Sequence, residues 1–263
     1  MITFIGDVHG WLGRLDAVVA QAQGEMIFVG DLIDRGPQVP EVLDRVHDLC
    51  DAGKARCLLG NHEWMLARVL GRGDAEPDYE AFDAWAEGWG GSAVMAAYGV
   101  ETPEALKVRL GRHWPWLGEL PWVLEGAIEH RRWTAVHAGL NPTRPFLEQL
   151  DEVRRGWNGP WREGDDPRPP PLFSKKWLAK YPADMPADMC LVSGHIPVWQ
   201  PLIMPQRIAC DTSGGMPDRR LTGVLWPSGT VISSGFHEQA EAVAVDGTED
   251  VTVDAAREFK PEV

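Results

Sequence analysis

At 263 residues and 44% hydrophobic side chains the chain can bury a full core, and no apolar run approaches the ~20 residues that span a bilayer. A formal net charge of −14 excludes an overall basic nucleic-acid surface, because phosphate backbones are bound by patches of Lys and Arg. The N-terminus Met1-Ile2-Thr3-Phe4-Ile5 carries no basic or apolar leader, and Cys50, Cys57, Cys190 and Cys210 form no CxxC pair. Buried free thiols and a cytoplasmic location are the expectation.

Ile2 to Ile5 reads as a buried strand. Leu12 to Ala22 reads as a helix, with Leu12, Leu15, Val18, Val19 and Ala22 at helical spacing. Glu25 to Val29 and Ala55 to Leu59 read as strands, Val39 to Ala52 and His62 to Leu70 as helices, with Pro40 suited to a first helical turn. This βαβαβα order implies parallel strands covered by helices. Residues 74–122 read as a helical cap on the same core, rich in tryptophan (Trp85, Trp89, Trp114, Trp116, Trp122), with one helix stopping at Gly90-Gly91. Packing accounts for most such tryptophans, and an aromatic wall for a nucleobase is the alternative. Strand patterns return at Trp133 to Val136, Cys190 to Val192, Arg207 to Cys210 and Leu221 to Leu225. The last pairs with Val231 to Ser233 across Pro227-Ser228-Gly229. One domain over residues 1–240 is expected, with an irregular loop insertion at 154–171 and a tail at 241–263. Arg154 to Lys180 is locally basic and 238–254 acidic, so the basic stretch could meet an anionic substrate or form a solvated loop.

Apolar runs end in short polar motifs: Gly6-Asp7-Val8-His9-Gly10, Gly30-Asp31-Leu32-Ile33-Asp34-Arg35-Gly36, Gly60-Asn61-His62-Glu63, His137-Ala138-Gly139 and Gly194-His195. Hard divalent ions take carboxylate and amide oxygens and imidazole nitrogens. Asp7 and His9 are two apart, so on an extended strand both can reach one ion. One Asp carboxylate has two oxygens and can bridge two ions, and Asp31 ends the second strand. Asn61, His137 and His195 end later strands, where open α/β sheets gather their ligands. Two ions about 3.5–4 Å apart lower the pKa of a shared water and clamp phosphate oxygens. His62 can then protonate a leaving oxygen, Asp34 can orient His62, and Arg35 offers a planar fork to phosphate. The set points to a metal-dependent phosphoester hydrolase.

These motifs resemble the phosphoprotein phosphatase family of calcineurin-like metallophosphoesterases. Gly30-Asp31-Leu32-Ile33-Asp34-Arg35-Gly36-Pro37 and Gly60-Asn61-His62-Glu63 match its signature blocks, and Asp211-Thr212-Ser213-Gly214-Gly215 resembles the block after the last histidine. The likeness runs from about residue 2 to 235 and is strongest with bacterial protein Ser/Thr phosphatases and symmetrical diadenosine tetraphosphatases. It implies an α/β fold, a four-layer α/β/β/α sandwich with a small helical cap. It also implies a first metal on Asp7 and His9, a bridging Asp31, and a second metal on Asn61, His137 and His195. His62 with Asp34 would form the proton-donor pair and Arg35 a phosphate clamp. The two divalent ions would be manganese, iron or zinc, and attack would be direct, without a phosphoenzyme.

Two departures concern substrate. The family's second phosphate-binding Arg, in a Trp-x-Arg element, is matched here by Phe173-Ser174-Lys175, with Arg162, Arg154 and Arg155 as alternatives. The usual Gly-His-Thr reads Gly194-His195-Ile196. A phosphomonoesterase of the protein Ser/Thr phosphatase type is the leading expectation. A symmetrical diadenosine tetraphosphate hydrolase is the alternative, and a non-catalytic phosphate-binding module the third. The substrate is thus a phosphoprotein or a small phosphoester, with no nucleic-acid or membrane partner expected.

Overall fold

A computed structural model describes residues 1–71, 76–155 and 168–235. The chain opens as β1 (Ile2–Ile5), α1 (Leu12–Val19), β2 (Glu25–Phe28), α2 (Val39–Asp51), β3 (Ala55–Cys57) and α3 (Asn61–Val69), the order expected from periodicity. α2 forms because Val39, Val42, Leu43, Val46 and Leu49 make one buried stripe, with Pro40 in its first turn. The cap follows as α4 (Tyr79–Gly88), α5 (Gly91–Tyr98), α6 (Pro103–Leu110) and α7 (His113–Glu119). The Asp78 carboxylate caps α4 by accepting the Ala81 N–H at 2.9 Å, and Thr102 caps α6.

Next come β4 (Leu124–Ile128), β5 (Arg131–Ala135), α8 (Phe146–Arg154), α9 (Pro170–Phe173), β6 (Met189–Ser193), β7 (Leu202–Met204), β8 (Arg207–Ala209), β9 (Thr222–Trp226) and β10 (Thr230–Ser233). β4, β7 and α8 were not read from the sequence. β4 and β7 are antiparallel strands at the two edges of one sheet; β4 is interrupted by Glu125 and Gly126, and β7 is three residues long between Pro201 and Pro205. The proposed loop at 154–171 gives way to helix from Pro170, and its residues 156–167 lie outside the described residues, as does the tail at 241–263.

The strands form two mixed sheets, ordered β10-β9-β1-β2-β3 and β4-β5-β6-β8-β7. β1, β2 and β3 run parallel, as do β5, β6 and β8. Alternation along each strand sorts its side chains. Phe4, Ile27, Val29, Trp133, Val192, Ile208 and Val224 meet between the sheets. Ile5, Phe28, Val136 and Leu191 turn outward to the helices. The result is a four-layer α/β/β/α sandwich with a helical cap. Phe4 stands between the sheets with its ring 5.2 Å from Trp133 and 6.4 Å from Trp226, both edge-on.

Cys57, Cys190 and Cys210 are buried free thiols and Cys50 is half-buried. No helix among the described residues is long and apolar enough to cross a membrane.

Phe4 carries the seam between the sheets, so Phe4→Ala should cost about 3–5 kcal/mol of stability, read as a lower urea midpoint at an unchanged slope. A midpoint within error of the parent would show that the layers are held elsewhere.

Candidate metal centre

Asp7, His9, Asp31, Asp34, Asn61, His62, His137 and His195 all come from turns at the carboxyl ends of parallel strands or from the first turn of α3. Two carboxyl-end turns approach closely. A Cβ at Gly30 would stand 2.6 Å from the Gly60 nitrogen and 3.1 Å from His137 Nδ1, and Gly30 has φ +98°. Any side chain there would push the Asp31 and Asn61 turns apart. The ligand-bearing backbone is itself strained. His9, Asp31, Asp34, Arg35 and His195 all have φ between 50° and 69°, and Glu129 is the one other non-glycine residue with positive φ among those described.

Glu63 holds the most strained turn in place. Its carboxylate accepts the N–H groups of Asp31 (2.9 Å), Leu32 (2.7 Å) and Ile33 (3.3 Å), and of Gly60 (3.0 Å). Burial, with the charge of Asp31, pushes the Glu63 carboxyl up to about 7. The sequence reading gave Glu63 no role. Its only sequence sign was its place in Gly60-Asn61-His62-Glu63, and its partners on the second strand are distant in the chain.

Asp31 is the hub. Its carboxylate belongs to two groups whose ligand atoms lie within 4.8 Å of one another, one with His9 and His62, the other with His137 and His195. Asp31 Oδ2 is 3.3 Å from His137 Nε2, 3.7 Å from His9 Nε2 and 3.8 Å from His62 Nε2. Asn61 Oδ1 lies 2.8 Å from both His137 Nε2 and His195 Nδ1. Asp7 is buried behind this group, with its carboxylate accepting the His195 backbone N–H at 3.1 Å.

Tautomers follow from the carbonyl partners. His9 Nδ1 is 2.8 Å from the Ile33 oxygen and His137 Nδ1 is 2.7 Å from the Val29 oxygen. A carbonyl can only accept, so each Nδ1 carries its proton and each Nε2 is free to present a lone pair to a metal. His137 Nε2 then faces only acceptors, Asn61 Oδ1 and Asp31 Oδ2. Converging acceptors of this kind suit a cation, and this mixed O/N set fits two hard or borderline divalent ions. Without one, protons take its place. Burial lowers the His137 imidazole, but the Asp31 charge outweighs it and raises the group. Burial raises Asp31, but His137, His62 and His9 together hold it well below the usual range. Asp7 is pushed well up by burial and by the charges of Asp211 and Asp31. Burial and the His137 charge drive His195 down to about 3, leaving a neutral, ligand-competent imidazole.

Beside this centre His62 Nδ1 meets Asp34 Oδ2 at 2.5 Å. Trp85, fully buried, donates its indole N–H to both Asp34 oxygens, at 3.0 and 3.1 Å. Burial raises Asp34, and the bonds from His62 and Trp85 oppose it. Trp85 therefore fixes the Asp34 carboxylate that meets His62, a contact that composition could not separate from packing. Arg35 is exposed at the mouth, with Nη1 2.8 Å from His9 Nε2 and Nη2 3.0 Å from His62 Nε2. Asp211 accepts the N–H groups of Ser213 and Gly214, and Ser213 Oγ donates to the Asp7 carbonyl at 2.6 Å, binding this later loop to the first motif.

Among the cations considered for a second phosphate contact, Arg154 is engaged with Glu125 and Asp151 on the surface. Arg162 lies outside the described residues. Lys175 is exposed, and its charge reaches His195. Of the cap tryptophans, Trp85 and Trp89 approach the site. Trp116 stacks on His47 (4.5 Å, 10°), Trp114 lies under Lys107, and Trp122 is buried in the core.

Because Asp31 is shared, Asp31→Asn should strip both ions from the chain. Elemental analysis after gel filtration checks this, and two retained ions per chain would contradict a shared carboxylate.

A family profile described as calcineurin-like phosphoesterase matches residues 1–222. A symmetrical bis(5'-nucleosyl)-tetraphosphatase of Vibrio cholerae is 31% identical over 163 residues, covering 57% of this chain and 51% of that protein. One of the same name from Ralstonia nicotianae is 37% identical over 95 residues, covering 31% of this chain and 34% of that protein. The chain thus spans between a third and about half the length of the curated relatives it matches. A crystal structure provisionally named a diadenosine tetraphosphatase superposes with a TM-score of 0.52 at 23% identity, covering 88% of this chain and 91% of that one, which speaks to the fold.

Proposed function

This chain belongs to the calcineurin-like phosphoesterase family and is a phosphoric ester hydrolase, and on that footing we propose that it cleaves dinucleoside polyphosphates, symmetrically in diadenosine tetraphosphate. The relatives named as symmetrical tetraphosphatases support this substrate over a phosphoprotein. The observation that carries hydrolysis is the acceptor-lined cavity around Asp31 with the His62–Asp34 pair at its edge.

The residues divide the work. Asp7 and His9 would hold one ion, Asn61, His137 and His195 the other, and Asp31 would serve both. His62 lies in the first group beside His9 and Asp31, and with its Nδ1 bonded to Asp34 it would serve the leaving group rather than the metal. When bound, two divalent ions supply Lewis acidity and an activated water, and manganese is the pair to supply first. Arg35 swings its fork from His9 and His62 onto phosphate oxygens, and its exposure at the mouth gives substrate direct access. Lys175 supplies a second positive charge on the His195 side. His62 donates a proton to the departing oxygen, held in line by Asp34, which Trp85 fixes in turn.

The phosphomonoesterase reading keeps one argument, the intact Asp31-Leu32-Ile33-Asp34-Arg35-Gly36 run. The two readings differ in the leaving group. A serine alkoxide is strongly basic and depends on a proton in flight, whereas a diphosphate oxygen has a pKa of about 6 and gains far less from the proton that His62 offers. With manganese present, kcat/KM should favour diadenosine tetraphosphate over a phosphoserine peptide. His62→Asn should slow the peptide reaction about 10²–10⁴-fold and the dinucleotide reaction far less. A clear preference for the peptide returns the chain to the phosphoprotein reading, and inactivity on both supports the binding module. Separately, Lys175→Ala should raise KM for the preferred substrate while Arg154→Ala leaves it unchanged. The opposite pattern would place the second anchor elsewhere.

A further inference from the structure

Two rings at the mouth of the site are only partly buried, unlike those of the core. Trp89 ends α4, and its turn is tied to the phosphate clamp: the Arg35 N–H donates to the Gly90 carbonyl at 3.1 Å. Gly90 has φ +89°, and a Cβ there would come within 2.8 Å of Arg35 Cγ, so the turn and the clamp fit only because this residue is glycine. The Trp89 ring lies 5.3 Å from the His62 ring at 62°, and 5.9 Å from Phe173 at 70°. Behind Phe173, the buried Trp64 packs edge-on at 5.2 Å and 79°. Trp89 and Phe173 therefore make a steep-walled corner, rigid on its inner side and partly open on its outer side. Lys175, two residues beyond Phe173, and Arg35, bonded to the Trp89 turn, put an exposed cation on each flank.

A corner of this kind suits a third planar ring, stacked on one wall and edge-on to the other. The two cations suit the phosphates attached to that ring. A Ser or Thr leaving group has no ring to offer. His62 serves the leaving oxygen and Trp89 packs against His62, so the group that departs does so past Trp89. We propose that the Trp89–Phe173 corner binds the nucleobase of the departing nucleoside phosphate, an assignment that rests on the dinucleotide reading of the site. Bases stack on aromatic side chains with little regard to identity, so the corner selects for a nucleoside over a bare phosphate chain rather than for one base over another.

ADP and pyrophosphate carry the same phosphate chain and differ only in the nucleoside. Calorimetric Kd values of the manganese-loaded chain for the two isolate that difference without relying on turnover. ADP should bind about tenfold or more tighter than pyrophosphate. Trp89→Ala should bring the two within about twofold, and Trp89→Phe, which keeps a ring, should retain most of the preference. An ADP preference untouched by Trp89→Ala, or an equal loss for both ligands, overturns the assignment, the second because it would mark Trp89 as a mere support for His62. If the preference depends on Trp89 but diadenosine tetraphosphate is not cleaved, the corner stands as a nucleotide site and the dinucleotide reading falls. If the dinucleotide is cleaved but Trp89→Ala leaves the ADP preference intact, the corner falls and the reading stands.

Discussion

Burying several carboxylates in one small volume is the constraint around which this protein is arranged. Asp7, Asp31, Asp34, Glu63 and Asp211 are all essentially inaccessible to water. An isolated buried charge costs several kcal/mol, so each must be answered locally. Glu63 is answered by four backbone N–H groups, Asp34 by an imidazole and an indole, and Asp211 by two backbone N–H groups. Asp211 Oδ2 has no hydrogen-bond partner among the described residues, and Asp7 and Asp31 are also left with little. Asp7 has one backbone N–H and the repulsion of two neighbours. Asp31 Oδ1 accepts the His62 N–H at 3.0 Å, but Oδ2 has only imidazoles around it. The charge left unanswered is concentrated where divalent ions would remove it.

That arrangement is held against local backbone preference. Left-handed φ at His9, Asp31, Asp34, Arg35 and His195 costs of order 1 kcal/mol or more at each non-glycine residue. The cost is met by packing on both sides. Two mixed sheets share one apolar layer, so the carboxyl ends of their parallel strands meet along one edge, and the turns there cannot relax without parting the sheets. Glu63 then gathers three successive N–H groups of the Asp31 turn, which is how a helix start on the third strand's turn fixes a carboxylate on the second.

The parallel strands and the residues that converge on Asp31 were legible because both leave short-range marks. Buried parallel strands read as continuous apolar runs, and Asp, His or Asn followed by Gly just past such a run has few structural uses. Edge strands β4 and β7 carry a weaker mark, β4 because Glu125 and Gly126 interrupt it and β7 because it is only three residues long between prolines. Glu63 and Trp85 were opaque for another reason. One acts through backbone N–H groups some thirty residues away, the other through a carboxylate 51 residues away. The five cap tryptophans look alike in sequence, yet Trp85 is a hydrogen-bond donor, Trp89 a wall at the mouth, and Trp122 core. Lys175 and Arg154 are alike in sequence, and the ion pairs of Arg154 with Glu125 and Asp151 set them apart.

The group around Asp31 offers ligands for cations and nothing that would distinguish one phosphoester from another. Selectivity must come from what borders it, and Arg35 is where the two parts join. Its side chain reaches His9, His62 and the Gly214 carbonyl, while its backbone N–H holds the Gly90 turn that presents Trp89. A shift of the cap would therefore move the phosphate clamp and the aromatic wall together. Changing the cap sequence alters what is accepted while leaving the acceptor set at the strand ends intact.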